Sequence, residues 1–367
     1  MLRKRFLTIG SWRVRQLARL TDFMTGLVNF SNKPHSAELR ELPVPQANEA
    51  EVLVAVKAVG ICGSDIHQYE GTHSWRVNYP VVLGHEFSGV IAKVGSRVHG
   101  FQEGESIVSE TAAVLPLDSP FIRQGLYNLE PKRLGFGYGV DGAMAAFVRV
   151  PARCLHRLPA SLSFEKAALT EPCCVAYQAV CVNSRPRPGD TVAVIGPGPI
   201  GLLCALMAKL AGTGHLLVVG LPADARRLEI ARQIGADTTL CTQEVNVVDW
   251  VQNFGDGYGI DLVIDAAGVS ASLKLALDIV RPAGQITKVG WGPQPFNYSL
   301  DPLVQKAVTL QGSFSHNWDT WEKVISLLDT GKIELDLILN RVAPLTEWCE
   351  LFEAMHSGEI VKGVLNP

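Results

Sequence analysis

Four short stretches of this chain carry side chains that could do chemistry. Cys62-Gly63-Ser64-Asp65-Ile66-His67 and the triplet Gly84-His85-Glu86 offer a thiol, imidazoles and carboxylates, the donor types that a catalytic zinc ion takes. Thr170-Glu171-Pro172 adds another carboxylate. Gly196-Pro197-Gly198-Pro199-Ile200-Gly201 is G-x-G-x-x-G, the spacing at which backbone N–H groups of a helix start receive a pyrophosphate. There Gly196 permits the tight turn, Gly198 lets the backbone approach the phosphates, Pro199 and Ile200 open the helix, and Gly201 lets helix and strand pack closely. Singly, each piece has a plain structural reading: Cys62 a small buried hydrophobe, His85 a satisfied loop histidine, Glu171 a helix N-terminal carboxylate, the glycines a strand-to-helix turn. Their occurrence together points to a site.

The elements that must position these residues fall into two textures. From Gly26 to Val150, short apolar runs such as Glu51-Val52-Leu53-Val54-Ala55-Val56 alternate with Pro and polar turns, which predicts a small antiparallel β domain. After Leu162, Ser163 can cap a helix, and apolar residues recur at helical intervals from Ala167 to Val182. Strand then alternates with helix. Thr191–Ile195, Leu216–Val219, Leu262–Ile264 and Gln285–Val289 read as strands, and Leu202–Leu210, Arg226–Ile234 and Leu273–Val280 as helices. The glycine turn directly follows one such strand and opens a helix. The fold class expected is α/β, with a doubly wound parallel sheet beside the β-rich domain and the active site in the cleft between them. Val289 and Gly290 then pass near the nicotinamide, and Tyr69, Trp75, Arg76 and Tyr138 are pocket candidates.

The cofactor is expected to be NAD or NADP. The acidic residue that would select NAD should end the second strand, where Leu221 stands; Asp224 comes slightly late, and Arg226 and Arg227 could meet a 2′-phosphate.

With 367 residues, 47% of them hydrophobic, the chain exceeds one usual core. A net charge of −3 offers no broad positive field for nucleic acid or acidic lipid. No stretch approaches the roughly 20 apolar residues of a membrane-spanning helix. Eight cysteines at irregular spacing form no disulfide framework, which fits a reducing cytoplasm. The partner expected is a small molecule, with neither nucleic acid nor membrane. Residues 1–23 differ, with Arg3, Lys4, Arg5, Arg13, Arg15 and Arg19 against Asp22. They read as a tail or upstream start, with an organelle-targeting segment as the other reading.

The stretch Gly60-Ile61-Cys62-Gly63-Ser64-Asp65-Ile66-His67 and the Gly84-His85-Glu86 triplet resemble the medium-chain zinc-dependent alcohol dehydrogenases, especially the sorbitol and threonine dehydrogenase branch, from about Met24 onward. The resemblance implies a GroES-like catalytic domain over 24–170, a Rossmann cofactor domain over 171–312, and a return to the catalytic domain over 313–367. It implies one catalytic zinc per chain, held by Cys62 and His85, with Glu86 and Glu171 as oxygen ligands or holders of the zinc-bound water. Which glutamate binds stays open. Asp65 resembles the acid that orients the metal-binding imidazole, and Ser64 and His67 occupy the positions of a hydroxyl and imidazole proton relay. The activity implied is hydride transfer between a secondary alcohol, such as a polyol or cyclitol, and NAD(P), in a homo-oligomer, either dimer or tetramer.

The chain departs from many such relatives in the lobe that holds a second, structural zinc through four cysteines. Gly125-Leu126-Tyr127-Asn128-Leu129 is present, but Glu130 stands at the final cysteine position, and Pro116, Ser119 and Ile122 at the others. No tetrathiolate site can form. Two competing readings remain: a metal-free quinone or enone reductase of the same superfamily, which would not need Cys62 or His85, and a non-catalytic NADP-binding protein.

Overall fold

Along Thr191–Ile195 alternate side chains go to opposite faces, as the two-residue period of a strand requires. Val192 and Val194 enter one apolar cluster, Ala193 and Ile195 another. The neighbouring strands divide the same way, with Leu216, Val218, Leu262 and Ile264 on the first face and Leu217, Val219 and Val263 on the second. Such a sheet is covered by helices on both sides, which is why its strands read as continuous apolar runs.

The computed structural model describes residues 22–367. The expectation for the basic tail falls largely on residues 1–21, outside the described residues; Phe23 already opens the first strand. The strands in chain order are β1 Phe23–Asn29, β2 Ala37–Pro43, β3 Glu51–Gly60, β4 Val81–Val82, β5 Glu86–Val94, β6 Ser106–Ser109, β7 Phe147–Pro151 and β8 Leu155–Arg157, then β9 Thr191–Ile195, β10 His215–Gly220, β11 Thr238–Cys241, β12 Ile260–Asp265, β13 Val280–Lys288 and β14 Thr309–Gly312, and last β15 Leu339–Pro344 and β16 Lys362–Asn366.

The sheet of the second half runs β11-β10-β9-β12-β13-β14, every pair parallel. In sequence terms this is the order 3-2-1-4-5-6 of a dinucleotide-binding fold, with the strand order reversing beside β9. The first half holds two sheets, β2-β1-β4 and β15-β16-β3-β5-β6-β8, with β7 also paired to β3. The last two strands thus rejoin the first-half sheet, β16 lying antiparallel to the end of β3. One apolar cluster joins the halves, combining Ala58 and Val108 with Leu202, Trp321 and Val364.

The helical run expected over Ala167–Val182 is divided into Phe164–Ala168, Thr170–Tyr177 and a wider π-type turn over Gln178–Asn183. Pro172 lies in the first turn of the second piece, where its missing N–H costs no helical bond. That restart puts Glu171 at a helix N-terminus, where the macrodipole favours a carboxylate.

Candidate metal centre and cofactor cleft

Cys62 caps the helix Gly63–Tyr69 directly after β3. Buried Asp65 ties this loop to the next one: its Oδ2 accepts from the Cys62 N–H at 2.9 Å and its Oδ1 from the Gly84 N–H at 3.3 Å. The same Oδ1 lies 3.8 Å from His85 Nδ1. Glu86 opens β5, and the β3–β5 register sets it opposite Gly60, where any Cβ would collide with Glu86 Oε2. One ligand atom from each of Cys62, His85 and Glu86 consequently lies within 4.8 Å of the others.

Thiol, imidazole and carboxylate form a zinc donor set. Glu86 Oε2 is buried without a hydrogen-bond partner, so the residues present fit a cation. Burial opposes a proton on His85, but Cys62 and the Asp65 and Glu171 charges outweigh it and hold its pKa well above the ordinary histidine value. Glu86 Oε1 accepts from Lys362 Nζ at 2.7 Å, both side chains being almost fully buried.

Glu171 is held separately. Trp321 Nε1 donates to His316 Nδ1 at 2.7 Å, which leaves the proton on His316 Nε2 to be donated to Glu171 Oε1 at 2.9 Å. Burial would raise the pKa of this carboxyl, but the hydrogen bond from His316, aided by the nearby His85 and Lys362, holds it below the ordinary carboxylate value. Glu171 is not one of the three clustered ligand residues, yet it lines the same cavity.

That cavity, about 720 Å³, reaches from Cys62, His85 and Glu171 to Gly198–Gly201. Ser64 and His67 line it, and His67 Nδ1 lies 2.9 Å from Thr72 Oγ1. Val289, Gly290, Trp75 and Tyr138 also face it. Tyr69 and Arg76 do not: Tyr69 packs edge-on against Trp348 and Phe352 in the core, and Arg76 is exposed.

The backbone at the glycine turn is tightly constrained at two of its three glycines. Gly196 has φ +93°, and a Cβ at Gly201 would overlap the Gly196 carbonyl oxygen. A Cβ on Gly198 would meet nothing within 4 Å, so the space beside it is free for phosphate. The three candidates beyond β10 separate. Asp224 turns back to accept from the Leu221 N–H at 3.0 Å, Arg226 donates to the Glu359 carbonyl, and only Arg227 of the three lines the cavity.

In the lobe without cysteines, Ser119 Oγ donates to Glu130 Oε2, while Glu130 Oε1 accepts from the Lys132 N–H at 3.0 Å. Two of the four cysteine positions are therefore joined by a hydrogen bond. Among the described residues, Cys62, His85 and Glu86 are the one group that meets metal-ligand spacing. Sequence reasoning missed His316, Trp321, Lys362, Arg133, Trp291 and Phe314. The Ser313-Phe314-Ser315-His316 run, just after a strand of the parallel sheet, was the available signal for part of that group.

Residues 48–160 match the family model of the alcohol dehydrogenase GroES-like domain, and residues 199–330 that of the zinc-binding dehydrogenases. The chain belongs to the zinc-dependent medium-chain alcohol dehydrogenase family. Within that family it is similar to a sorbitol dehydrogenase of Halalkalibacterium halodurans, 37% identical over 94% of this chain and 99% of that protein. A D-arabitol-phosphate dehydrogenase of Enterococcus avium is 36% identical over 88% of this chain and 91% of its own length. A zinc-binding dehydrogenase of Sinorhizobium meliloti, solved with NADP, superposes with a TM-score of 0.87 at 26% identity, covering 95% of this chain and 100% of that one.

Proposed function

We propose that this protein oxidises a secondary alcohol of the polyol or cyclitol type, with NAD or NADP as hydride acceptor, at a zinc ion held by Cys62, His85 and Glu86. The observation that carries the reading is the meeting of those three ligand atoms in the cavity that also contains the phosphate turn. A bound zinc supplies Lewis acidity toward the alcohol oxygen, and the nicotinamide takes the hydride.

The protein's own residues supply the rest. Asp65 fixes the two ligand loops and faces the imidazole of His85. Glu171, kept ionised by His316, is the acid available to hold water or the substrate hydroxyl beside the metal. Ser64 and His67 carry the released proton toward solvent, a role supported by their place on the cavity wall and the exposure of His67. Glycines 196, 198 and 201 receive the pyrophosphate, Val289 and Gly290 flank the nicotinamide, and Arg227 faces the adenosine end. Asp224 and Arg226 act there through the loop conformation.

We assign the protein to a homo-oligomer, dimer or tetramer, supported by the exposed apolar residues Leu300, Val304 and Leu310 at and beside the edge strand β14. A cytoplasmic setting accords with eight free cysteines. The test is a panel of sugar alcohols, inositols, threonine and simple alcohols with each nicotinamide, run beside metal analysis. We expect one zinc per chain, turnover lost on chelation and restored by zinc, and a Cys62→Ser variant that loses both metal and turnover while still binding dinucleotide. Chelator-resistant turnover would refute the reading.

A further inference from the structure

We propose that Arg133 is a specificity-determining residue and that the preferred substrate is a polyol carrying an anionic end group, a phosphate monoester or a carboxylate. This deepens the dehydrogenase reading and rests on it. Five basic side chains line the cavity: His67, His85, Arg133, Arg227 and Lys362. Lys362 pairs with Glu86 and Arg227 with Asp224. Arg133, half-buried, has no carboxylate partner among the described residues, and its Nη1 is buried with no acceptor. The adjacent acid, Glu130, is engaged by the Ser119 hydroxyl and the Lys132 amide. A buried guanidinium nitrogen without an acceptor is costly, and a phosphate or carboxylate arriving in the cavity would meet the planar fork of this side chain.

The wall beside it suits the rest of such a molecule. The Arg133 guanidinium lies over the Phe314 ring at 4.6 Å; Phe314 packs on Trp291 at 5.7 Å, and Trp291 on Trp75 at 5.9 Å. Aromatic surface of this kind takes the C–H faces of a carbon chain, while the few polar groups fix its orientation. The lobe that places Arg133 is docked by Asn128, whose Nδ2 donates to the Phe314 carbonyl at 2.8 Å, and is braced by the Ser119–Glu130 hydrogen bond. The segment that in many relatives holds a structural metal here presents a cation to the substrate.

The test compares zinc-loaded wild type, Arg133→Met and Arg133→Lys on matched pairs: D-arabitol against its phosphate ester, sorbitol against its phosphate ester, and sorbitol against gluconate. Wild type should favour the anionic member, and Arg133→Met should lower that ratio of kcat/KM by about 10- to 100-fold, with partial rescue in Arg133→Lys. The ester and gluconate pairs tell phosphate from carboxylate. Calorimetric binding of the same compounds to the cofactor-bound protein gives a readout besides turnover. Ester binding that depends on Arg133 without turnover would keep this site and remove the dehydrogenase reading. Equal handling of both members by wild type, or equal losses on both in Arg133→Met, would overturn the proposal.

Discussion

Replacing Lys362 by Met would leave the Glu86 carboxylate in a space that is 0% exposed, with its nearest positive partner gone. At 2.7 Å the attraction of the pair is about 6 kcal/mol at an effective dielectric constant near 20. Desolvation of the two ions offsets much of that, so the pair adds little net stability. Breaking it is different, and the expected loss is about 3–5 kcal/mol. For a chain of this size that is a fall in melting temperature of about 5 °C. The measurement is a thermal melt of metal-stripped protein, so that no bound cation replaces the ammonium. Glu86→Gln combined with Lys362→Met should recover most of the loss, because it removes both charges. Burial would lower the Lys362 pKa, but Glu86 and Cys62 outweigh it and hold it above the ordinary lysine value. A raised lysine pKa gives stability that is fully present below the unfolded value of about 10.4 and is lost as pH rises through the folded one. The lysine's part of the gap between wild type and Lys362→Met should therefore persist from neutral into mildly alkaline pH and close only in stronger alkali. A variant melting within 1 °C (about 0.7 kcal/mol) of wild type, or a double variant melting below the single one, would refute the reasoning.

Three further outcomes are expected. Gly198→Ala places its methyl in empty space at φ −67°, so the protein should fold with stability within about 0.5 kcal/mol of wild type yet bind dinucleotide at least ~10-fold more weakly, whereas Gly201→Ala, facing the Gly196 carbonyl, should fail to fold; melting curves and cofactor titration separate the two, and unimpaired cofactor affinity in Gly198→Ala would count against the phosphate site. In native metal-free protein a thiol reagent should react rapidly only with Cys62 and Cys349, because burial pushes Cys181 up to about 11 and Cys154 up to about 12, and zinc should then protect Cys62; rapid reaction at five or more thiols would contradict the packing. Partial desolvation of the ring on its cavity side, with His356 and His73 nearby, holds His67 below the ordinary histidine pKa against the pull of Glu70, so its proton-accepting neutral form persists as pH falls; the acid limb of kcat/KM for alcohol oxidation should lie below pH ~6.5, and His356→Ala should move it upward.

What was legible in the sequence was local. The glycine turn is read from six consecutive residues, and its steric logic recurs unchanged in the fold because strand, turn and helix are adjacent in the chain. The near-continuous burial along β9 and β10 likewise follows from short apolar runs that a sequence displays directly. Cys62, His85 and Glu86 were legible as donor types, but their meeting depends on two things that spacing does not display: buried Asp65 bridging both loops, and a register that sets Gly60 against Glu86. The groups that set the charge of the site were out of reach for a stronger version of the same reason. Lys362 lies 276 residues from Glu86, and His316 lies 145 residues from Glu171. Both arrive with segments whose own patterns are those of an ordinary strand and loop. The lobe around Ser119 and Glu130 shows the limit most sharply. Sequence can say that four cysteines are missing there, since a thiolate has no stand-in as a zinc ligand in a tetrathiolate site. That a serine and a glutamate at two of those positions bond to each other, and so steady the loop that brings Arg133 to Phe314, exists only once the chain has folded. The Ser119–Glu130 bond and the placing of Arg133 are consequently parts of one local arrangement, and a Glu130→Ala variant, which frees Ser119 and loosens that loop, should weaken anion preference in the same direction as Arg133→Met, though less.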